Sequence, residues 1–216
     1  MVWIVAIPLH FTTACSHNMR MKGFTLIELM VVIAILTLTG TLVFVEFFNA
    51  RDIANVEISA GKVESMLAQA QSYGRGGRAF STSTTPADIK NDTARFDRGY
   101  GVYLETGTST VVFYGGQGDA ALDVTENRYT AQNAVEVLQL DQAVVQRLCV
   151  KTDGASAGCD ETPNELHVLF RRGDVGVAIM KGGSGTDMYA FASATVEAGG
   201  HTKDVVVWNT GLVYTE

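Results

Sequence analysis

The most informative segment of the chain reads Met21-Lys22-Gly23-Phe24-Thr25-Leu26-Ile27-Glu28 and leads straight into the apolar residues Leu29–Phe48. Between Phe24 and Phe48 the charged side chains are Glu28 and Glu46. A helix rises about 1.5 Å per residue, so this run is long enough to cross a bilayer core of about 30 Å. A carboxylate inside such a run costs about 2.5–3.5 kcal/mol at mid-helix and less near an end. Glu28 therefore needs a cationic partner, and the apolar run supplies none.

Cleavage between Gly23 and Phe24 would supply that partner, because it leaves a protonated amine on Phe24. Within one straight helix Glu28 lies about 6 Å along the axis from Phe24. The amine of a neighbouring subunit, displaced by about the same rise, could reach Glu28 equally well. A charge pair shielded from water can fix the axial register between packed helices, which is the best-attested use of buried charge.

The residues from Lys22 to Leu29 closely resemble the class III signal of type IV pilins and pseudopilins. This resemblance implies cleavage between Gly23 and Phe24 by a prepilin peptidase, N-methylation of Phe24 and a role for Glu28 in assembly. The implied fold is the α+β type IV pilin-like fold, in which a long N-terminal helix, membrane-spanning and then amphipathic, packs on an antiparallel β-sheet domain. The implied partners are other pilins or pseudopilins, the peptidase, an inner-membrane assembly platform and, before assembly, lipid. No cofactor is implied. An ordinary membrane anchor would explain the apolar run but not Glu28 or the Gly-Phe junction.

The length of 216 residues fits one domain and an anchor. We expect a leader peptide at residues 1–23, a membrane and assembly helix at 24–48, an amphipathic half of the same helix at 49–73, a connecting loop at 74–98 and a β-rich domain at 99–216.

The formal charge is −7, and loss of Arg20 and Lys22 with the leader would bring it to −9. An acidic chain disfavours broad nucleic-acid binding. The two basic residues favour a cytoplasmic N-terminus, a single pass through the bacterial inner membrane and an extracytoplasmic C-terminal domain.

The residues upstream of the signal, Met1–Asn18, do not fit a short basic leader. Met19 and Met21 are alternative starts that would give the short, positive leader of the family. We therefore expect that the start site is over-extended.

Beyond Phe48 the helical pattern continues but becomes amphipathic, which predicts one helix over Phe24–Tyr73. Gly40 is expected to weaken its first half. Tyr73-Gly74-Arg75-Gly76-Gly77 is expected to end the helix with a left-handed glycine cap. The predicted apolar stripe of the second half recurs at spacings of three and four and comprises Ile53, Val56, Ala60, Val63, Leu67 and Ala70.

The remainder contains short β-like runs, which predict an antiparallel β domain packed on the amphipathic half of the helix. Arg98–Tyr103 and the closing hairpin around Gly211 resemble the H-type (GspH/FimT-like) minor pseudopilins. The predicted strands are Gly101–Leu104, Thr110–Tyr114, Val135–Leu140, Val144–Val150, Glu165–Arg171, Val175–Met180, Tyr189–Val196, Lys203–Trp208 and Leu212–Thr215.

Two cysteines, Cys149 and Cys159, flank a glycine-rich loop in the domain expected outside the membrane, which favours a disulfide. Two reduced, buried thiols are the alternative. Acidic loops could bind calcium, although they match no fixed ligand spacing and solvated acidic loops are by far the commoner explanation. The calcium candidates are Asp119, Asp123, Asp153 and Asp160.

The sequence contains no recognisable catalytic constellation, so we expect a structural subunit rather than an enzyme. An adhesive or ligand-binding module on a membrane anchor is a rival hypothesis. A minor pilin that contacts DNA phosphates is another, and its candidate residues are Arg75, Arg78, Arg95 and Arg98. The sequence leaves open whether the filament is a type IV pilus or a type II secretion pseudopilus.

Overall fold

The computed structural model describes residues 25–76, 99–116, 128–153, 158–171, 176–182 and 189–216. The predicted leader and almost all of the predicted connecting loop lie outside these ranges. The described residues form helix α1 and nine strands, all close to their predicted positions. Their bounds are α1 Leu26–Arg75, β1 Tyr100–Glu105, β2 Thr110–Gly115, β3 Ala134–Gln139, β4 Val144–Lys151, β5 Glu165–Phe170, β6 Val177–Lys181, β7 Phe191–Ala198, β8 His201–Trp208 and β9 Val213–Thr215.

The chain divides into two compact units, residues 1–44 and 45–216. In the first unit the described part of α1 is apolar on all sides, and its side chains are exposed. The most apolar 18-residue window of α1 has a mean hydropathy of 2.4, and none of that window is buried. By length and composition, α1 is therefore able to span a membrane.

In the second unit α1 presents one apolar face to the β domain. Five of the six residues of the predicted stripe are buried there, and Ser59 and Met66 join them. Ile53 is the exception, because its side chain remains 46% exposed. It borders an open groove with His201–Lys203, so this turn of the helix is not covered by the sheet.

The β domain consists of two antiparallel sheets, where the sequence had indicated only one antiparallel domain. The first sheet has the strand order β3-β2-β1-β5-β6, and the second has the order β4-β7-β8-β9. The main core lies between the sheets and α1. The central strands of the first sheet bury residues on both faces, so a second cluster forms on its outer face.

The two sheets are joined by backbone hydrogen bonds at both ends. Beside β4, the Gly107 N–H donates to the Val145 carbonyl and the Val145 N–H donates to the Thr108 carbonyl. Beside β6, the Val177 N–H donates to the carbonyl of Asn209, a residue of the β8–β9 turn. These bonds satisfy backbone groups that would otherwise be open at the edges of β4 and β6.

The end of α1 differs from the sequence-based expectation. Gly74 remains helical, and neither Gly74 nor Gly76 has the positive φ angle of a left-handed cap. Gly77, the last glycine of the predicted stop, lies outside the described residues. A Cβ atom built on Gly74 would lie 2.3 Å from the Phe170 carbonyl oxygen. Gly74 is therefore required for the close approach of α1 to β5 rather than for ending the helix.

Candidate processing and assembly site

The helix begins with a reciprocal set of hydrogen bonds between Thr25 and Glu28. The Thr25 N–H and hydroxyl both donate to Glu28 Oε2, at 3.1 and 3.0 Å, and the Glu28 N–H donates to Thr25 Oγ1 at 3.4 Å. This is a capping box, in which a threonine before the helix and a glutamate three residues later satisfy each other's backbone groups. The Thr-x-x-Glu spacing in the sequence is the signal that could have predicted it.

The capping box changes one expectation about Glu28. We expected that only a cation could serve as its partner, whereas in the uncleaved chain two neutral donors of Thr25 already satisfy one carboxylate oxygen. The other carboxylate oxygen is bonded to neither Thr25 donor, so it is available to a further partner. Gly23 and Phe24, the predicted cleavage junction, lie outside the described residues, and their roles stay predictions.

The apolar half of α1 contains three threonines whose hydroxyl groups are satisfied within the helix. Thr37 donates to the Ala34 carbonyl at 2.9 Å, and Thr41 donates to the Leu38 carbonyl at 2.8 Å. Thr39 donates to the Ile35 carbonyl at 2.8 Å. Such internal bonds lower the cost of placing hydroxyl groups in hydrocarbon. The polar residues of this half are therefore compatible with a membrane span.

The solvent-facing side of the second half of α1 is also unusual, because it carries mainly small or apolar residues. A surface helix normally presents charged side chains on this side. We call this surface the small-residue stripe. It recurs at spacings of four and three and comprises the exposed residues Ala54, Ile58, Gly61, Ser65, Ala68 and Ser72.

The predicted disulfide is confirmed: Cys149 and Cys159 are bonded, with an S–S distance of 2.00 Å. The bond closes a loop that returns along β4, where Val150 and Glu161 exchange two backbone hydrogen bonds. Lys181 Nζ of β6 then contacts Glu161 Oε2 at 2.7 Å. The hydrogen bond from Lys181 to Glu161 raises the pKa of the lysine. The Lys181 ammonium also lies 5.9 Å from the centroid of the Tyr189 ring. The disulfide loop thus connects the second sheet to the first.

The calcium hypothesis receives no support from the described residues. Asp119 and Asp123 lie outside the described residues. Asp160 accepts hydrogen bonds from the N–H and the hydroxyl of Thr152 at 2.8 and 3.0 Å, and these bonds lower the pKa of its carboxyl group. The described part of the chain includes Asp153. It contains no group of three or more His, Cys, Asp or Glu residues that could hold a metal ion.

The DNA-contact hypothesis depended on four arginines, of which only Arg75 is described. Its guanidinium donates to the Thr210 carbonyl at 3.3 Å, beside the bond from Gln71 to the Gly211 carbonyl. Arg75 therefore helps to fasten the end of α1 to the β8–β9 turn. Arg78, Arg95 and Arg98 lie outside the described residues.

Sequence reasoning missed a buried aromatic cluster on the outer face of the first sheet. His167 is 3% exposed and lies among the rings of Tyr103, Tyr114 and Tyr129. Its Nδ1 accepts a hydrogen bond from the Tyr129 N–H at 3.2 Å. Burial, together with the positive charge of Arg128, lowers the pKa of His167 to about 4. No local motif signals this cluster, because its members come from three strands and a loop.

Comparison with known protein families gives one match. The model described as the prokaryotic N-terminal methylation motif matches residues 18–44, which contain the signal, the capping box and most of the apolar helix. No curated protein and no solved structure matches the chain. The motif implies processing by prepilin peptidase and assembly with other pilins, and together with the apolar helix it supports anchoring in the inner membrane. The matched motif, on a long helix packed against antiparallel sheets, supports a type IV pilin-like protein.

Proposed function

We propose that this chain is a structural minor pilin or pseudopilin. It is made as a membrane-anchored precursor with a cytoplasmic N-terminus and an extracytoplasmic β domain. Prepilin peptidase cuts between Gly23 and Phe24, and Phe24 is then N-methylated. An inner-membrane assembly platform transfers the mature chain from lipid into a type IV pilus or a type II secretion pseudopilus.

One observation carries this proposal: the methylation motif leads directly into an exposed apolar helix whose first turn holds Glu28. In a monomer these side chains can lie only in lipid. In a filament, neighbouring helices take the place of lipid. The exchange keeps the apolar surface away from water, so it costs little hydrophobic free energy.

Glu28 has two consecutive roles in this scheme. Before cleavage its carboxylate caps the helix through Thr25. After cleavage the new amine of Phe24, in the same or a neighbouring subunit, becomes its ionic partner. The charge pair then sets the axial position of each helix relative to the next.

Two substitutions at Glu28 separate these roles. Gln can replace Glu in a capping box but carries no charge, whereas Ala removes both the cap and the charge. We expect both Glu28→Ala and Glu28→Gln to insert and to be cleaved, and both to enter filaments poorly. The readouts are the gel shift on processing and the amount of subunit in sheared filaments.

The outcome for Glu28→Gln is decisive. Incorporation at the level of the unmodified chain would show that capping alone is sufficient and would contradict the register role. Gly23→Leu provides the processing control, because a bulky residue at the cleavage junction should leave the precursor uncut.

A further inference from the structure

The segment Arg128–Asn133 crosses the outer face of the first sheet, and we call it the strap. Asn133 organises it internally: the Thr130 N–H donates to Asn133 Oδ1 at 2.7 Å, and Asn133 Nδ2 donates to the Arg128 carbonyl at 2.8 Å. The Gly115 N–H donates to the Asn133 carbonyl at 3.0 Å and attaches the end of the strap to β2. The strap is therefore a bonded unit fixed at its C-terminal end.

The other end of the strap is held at Tyr129. Its ring contacts those of Tyr103 and Tyr114, with centroid distances of 4.6 and 6.1 Å. Its backbone N–H donates to His167 Nδ1 at 3.2 Å. An imidazole nitrogen can accept a hydrogen bond only when it carries no proton. This contact therefore requires a neutral His167 with its hydrogen on Nε2.

We propose that His167 is a pH-sensitive latch: the neutral imidazole holds the strap on the first sheet, and protonation releases it. A proton on Nδ1 turns the acceptor into a donor that faces the Tyr129 N–H. The new positive charge also adds to that of Arg128 at the beginning of the strap. Release would uncover the rings of Tyr103 and Tyr114.

The groups around His167 are consistent with release of the strap when His167 is protonated. On β1 and β2 it faces the neutral side chains of Tyr103 and Tyr114, and Met180 is its register partner on β6. The strap contributes Tyr129 and Arg128, and the arginine disfavours a second positive charge. Two carboxylates, Glu105 and Glu165, lie two register positions away, and their charges act on Tyr103. Among the described residues, the strap contributes only positive charge to the surroundings of His167.

The size of the effect follows from the proton affinities of the two states. When the strap lies on the first sheet, His167 has a pKa of about 4, whereas a solvent-exposed histidine has the ordinary pKa of 6.5. Protons therefore bind the released state more tightly and favour it as the pH falls from 6.5 towards 4. The largest shift in the equilibrium is about 300-fold, the ratio of the two affinities.

The first test is the imidazole tautomer in the full chain, purified in detergent micelles. Nitrogen NMR at neutral pH is expected to find the hydrogen of His167 on Nε2. A hydrogen on Nδ1 would overturn the latch, because that tautomer cannot accept from Tyr129.

The second test follows amide hydrogen exchange of the same sample, corrected for the intrinsic effect of pH. Protection at Tyr129 is expected to fall at least about tenfold as His167 is protonated, while Leu169 on β5 stays protected. Unchanged protection at Tyr129 would overturn the proposal. Simultaneous loss at Leu169 would also overturn it, because the whole domain would then be unfolding.

A matched pair of variants assigns the effect to one side chain. In His167→Asn the amide oxygen can take the place of Nδ1 as acceptor but does not titrate, so protection at Tyr129 should become independent of pH. His201→Asn, at the other histidine of the described chain, should keep the original curve. The original curve in His167→Asn would overturn the latch. If that variant fails to fold, the two measurements on the unmodified chain decide the question.

Discussion

Gly74 and Gly61 lie in the same helix but in different surroundings. A Cβ atom on Gly74 would overlap the carbonyl of Phe170, which is backbone and cannot move cheaply. A Cβ atom on Gly61 would meet nothing within 4 Å. Helix propensity favours alanine at both positions, so any difference between them measures the close contact alone.

We predict opposite effects of alanine at these two glycines. Gly74→Ala should lower the free energy of unfolding by about 1–3 kcal/mol, because it overpacks the contact between α1 and β5. Gly61→Ala should raise it by about 0.5–1 kcal/mol. Denaturant unfolding of the two variants in detergent, followed by far-ultraviolet circular dichroism, measures both. Equal stabilisation by the two substitutions would contradict the close approach of the helix to Phe170.

At the scale of single elements, the two residues that follow Cys159 cover part of the edge of β4. Asp160 and Glu161 bond to the backbone of Val150, and Glu161 reaches β6 through its ion pair with Lys181. The disulfide and the ion pair differ in strength, because a disulfide across a short loop contributes about 2–3 kcal/mol whereas an exposed ion pair contributes little.

We predict that Cys149→Ser combined with Cys159→Ser lowers the free energy of unfolding by about 2–3 kcal/mol. The Val150 amide should exchange faster in this double variant, because the return of the loop along β4 is no longer enforced. Glu161→Gln is the control, since it removes only the exposed ion pair and should cost much less than the double substitution. If the control were as costly as the double variant, the ion pair rather than the disulfide would be what holds this segment against β4.

Local patterns were sufficient to predict the elements but not their arrangement. Alternation and turn residues located each strand within a few positions, and the three-four spacing located α1. The pairing of β1 with β5 and the division into two sheets depend on contacts between distant residues, which no local pattern encodes. A glycine that ends a helix and a glycine that allows close packing look alike in sequence, so the role of Gly74 was not predictable. The role of His167 becomes visible only when the fold brings the tyrosine rings around it.

At the scale of the whole molecule, the apolar half of α1 and the small-residue stripe give each half of the helix an exposed surface of mainly uncharged side chains. Small side chains allow other helices to approach closely. In the proposed filament both surfaces are covered by neighbouring subunits. The β domain needs neither surface for its own core.

We predict that Ser65→Arg, within the small-residue stripe, leaves folding unchanged because residue 65 is exposed. Incorporation into filaments should fall at least about tenfold, since a guanidinium would be buried against a neighbour without a partner. Gln139→Arg, at an exposed position of β3, is the matched control and should assemble normally. Circular dichroism checks the fold, and quantitative immunoblotting of sheared filaments checks incorporation. Normal assembly of Ser65→Arg would exclude the stripe from the filament interior.

The N-terminus of the mature protein tests the central claim most directly. Mass spectrometry of the chain extracted from membranes should identify N-methylphenylalanine at position 24, followed by Thr25-Leu26-Ile27-Glu28. A chain that begins upstream of Phe24 would contradict processing at this junction, and with it the proposed ion pair between the Phe24 amine and Glu28.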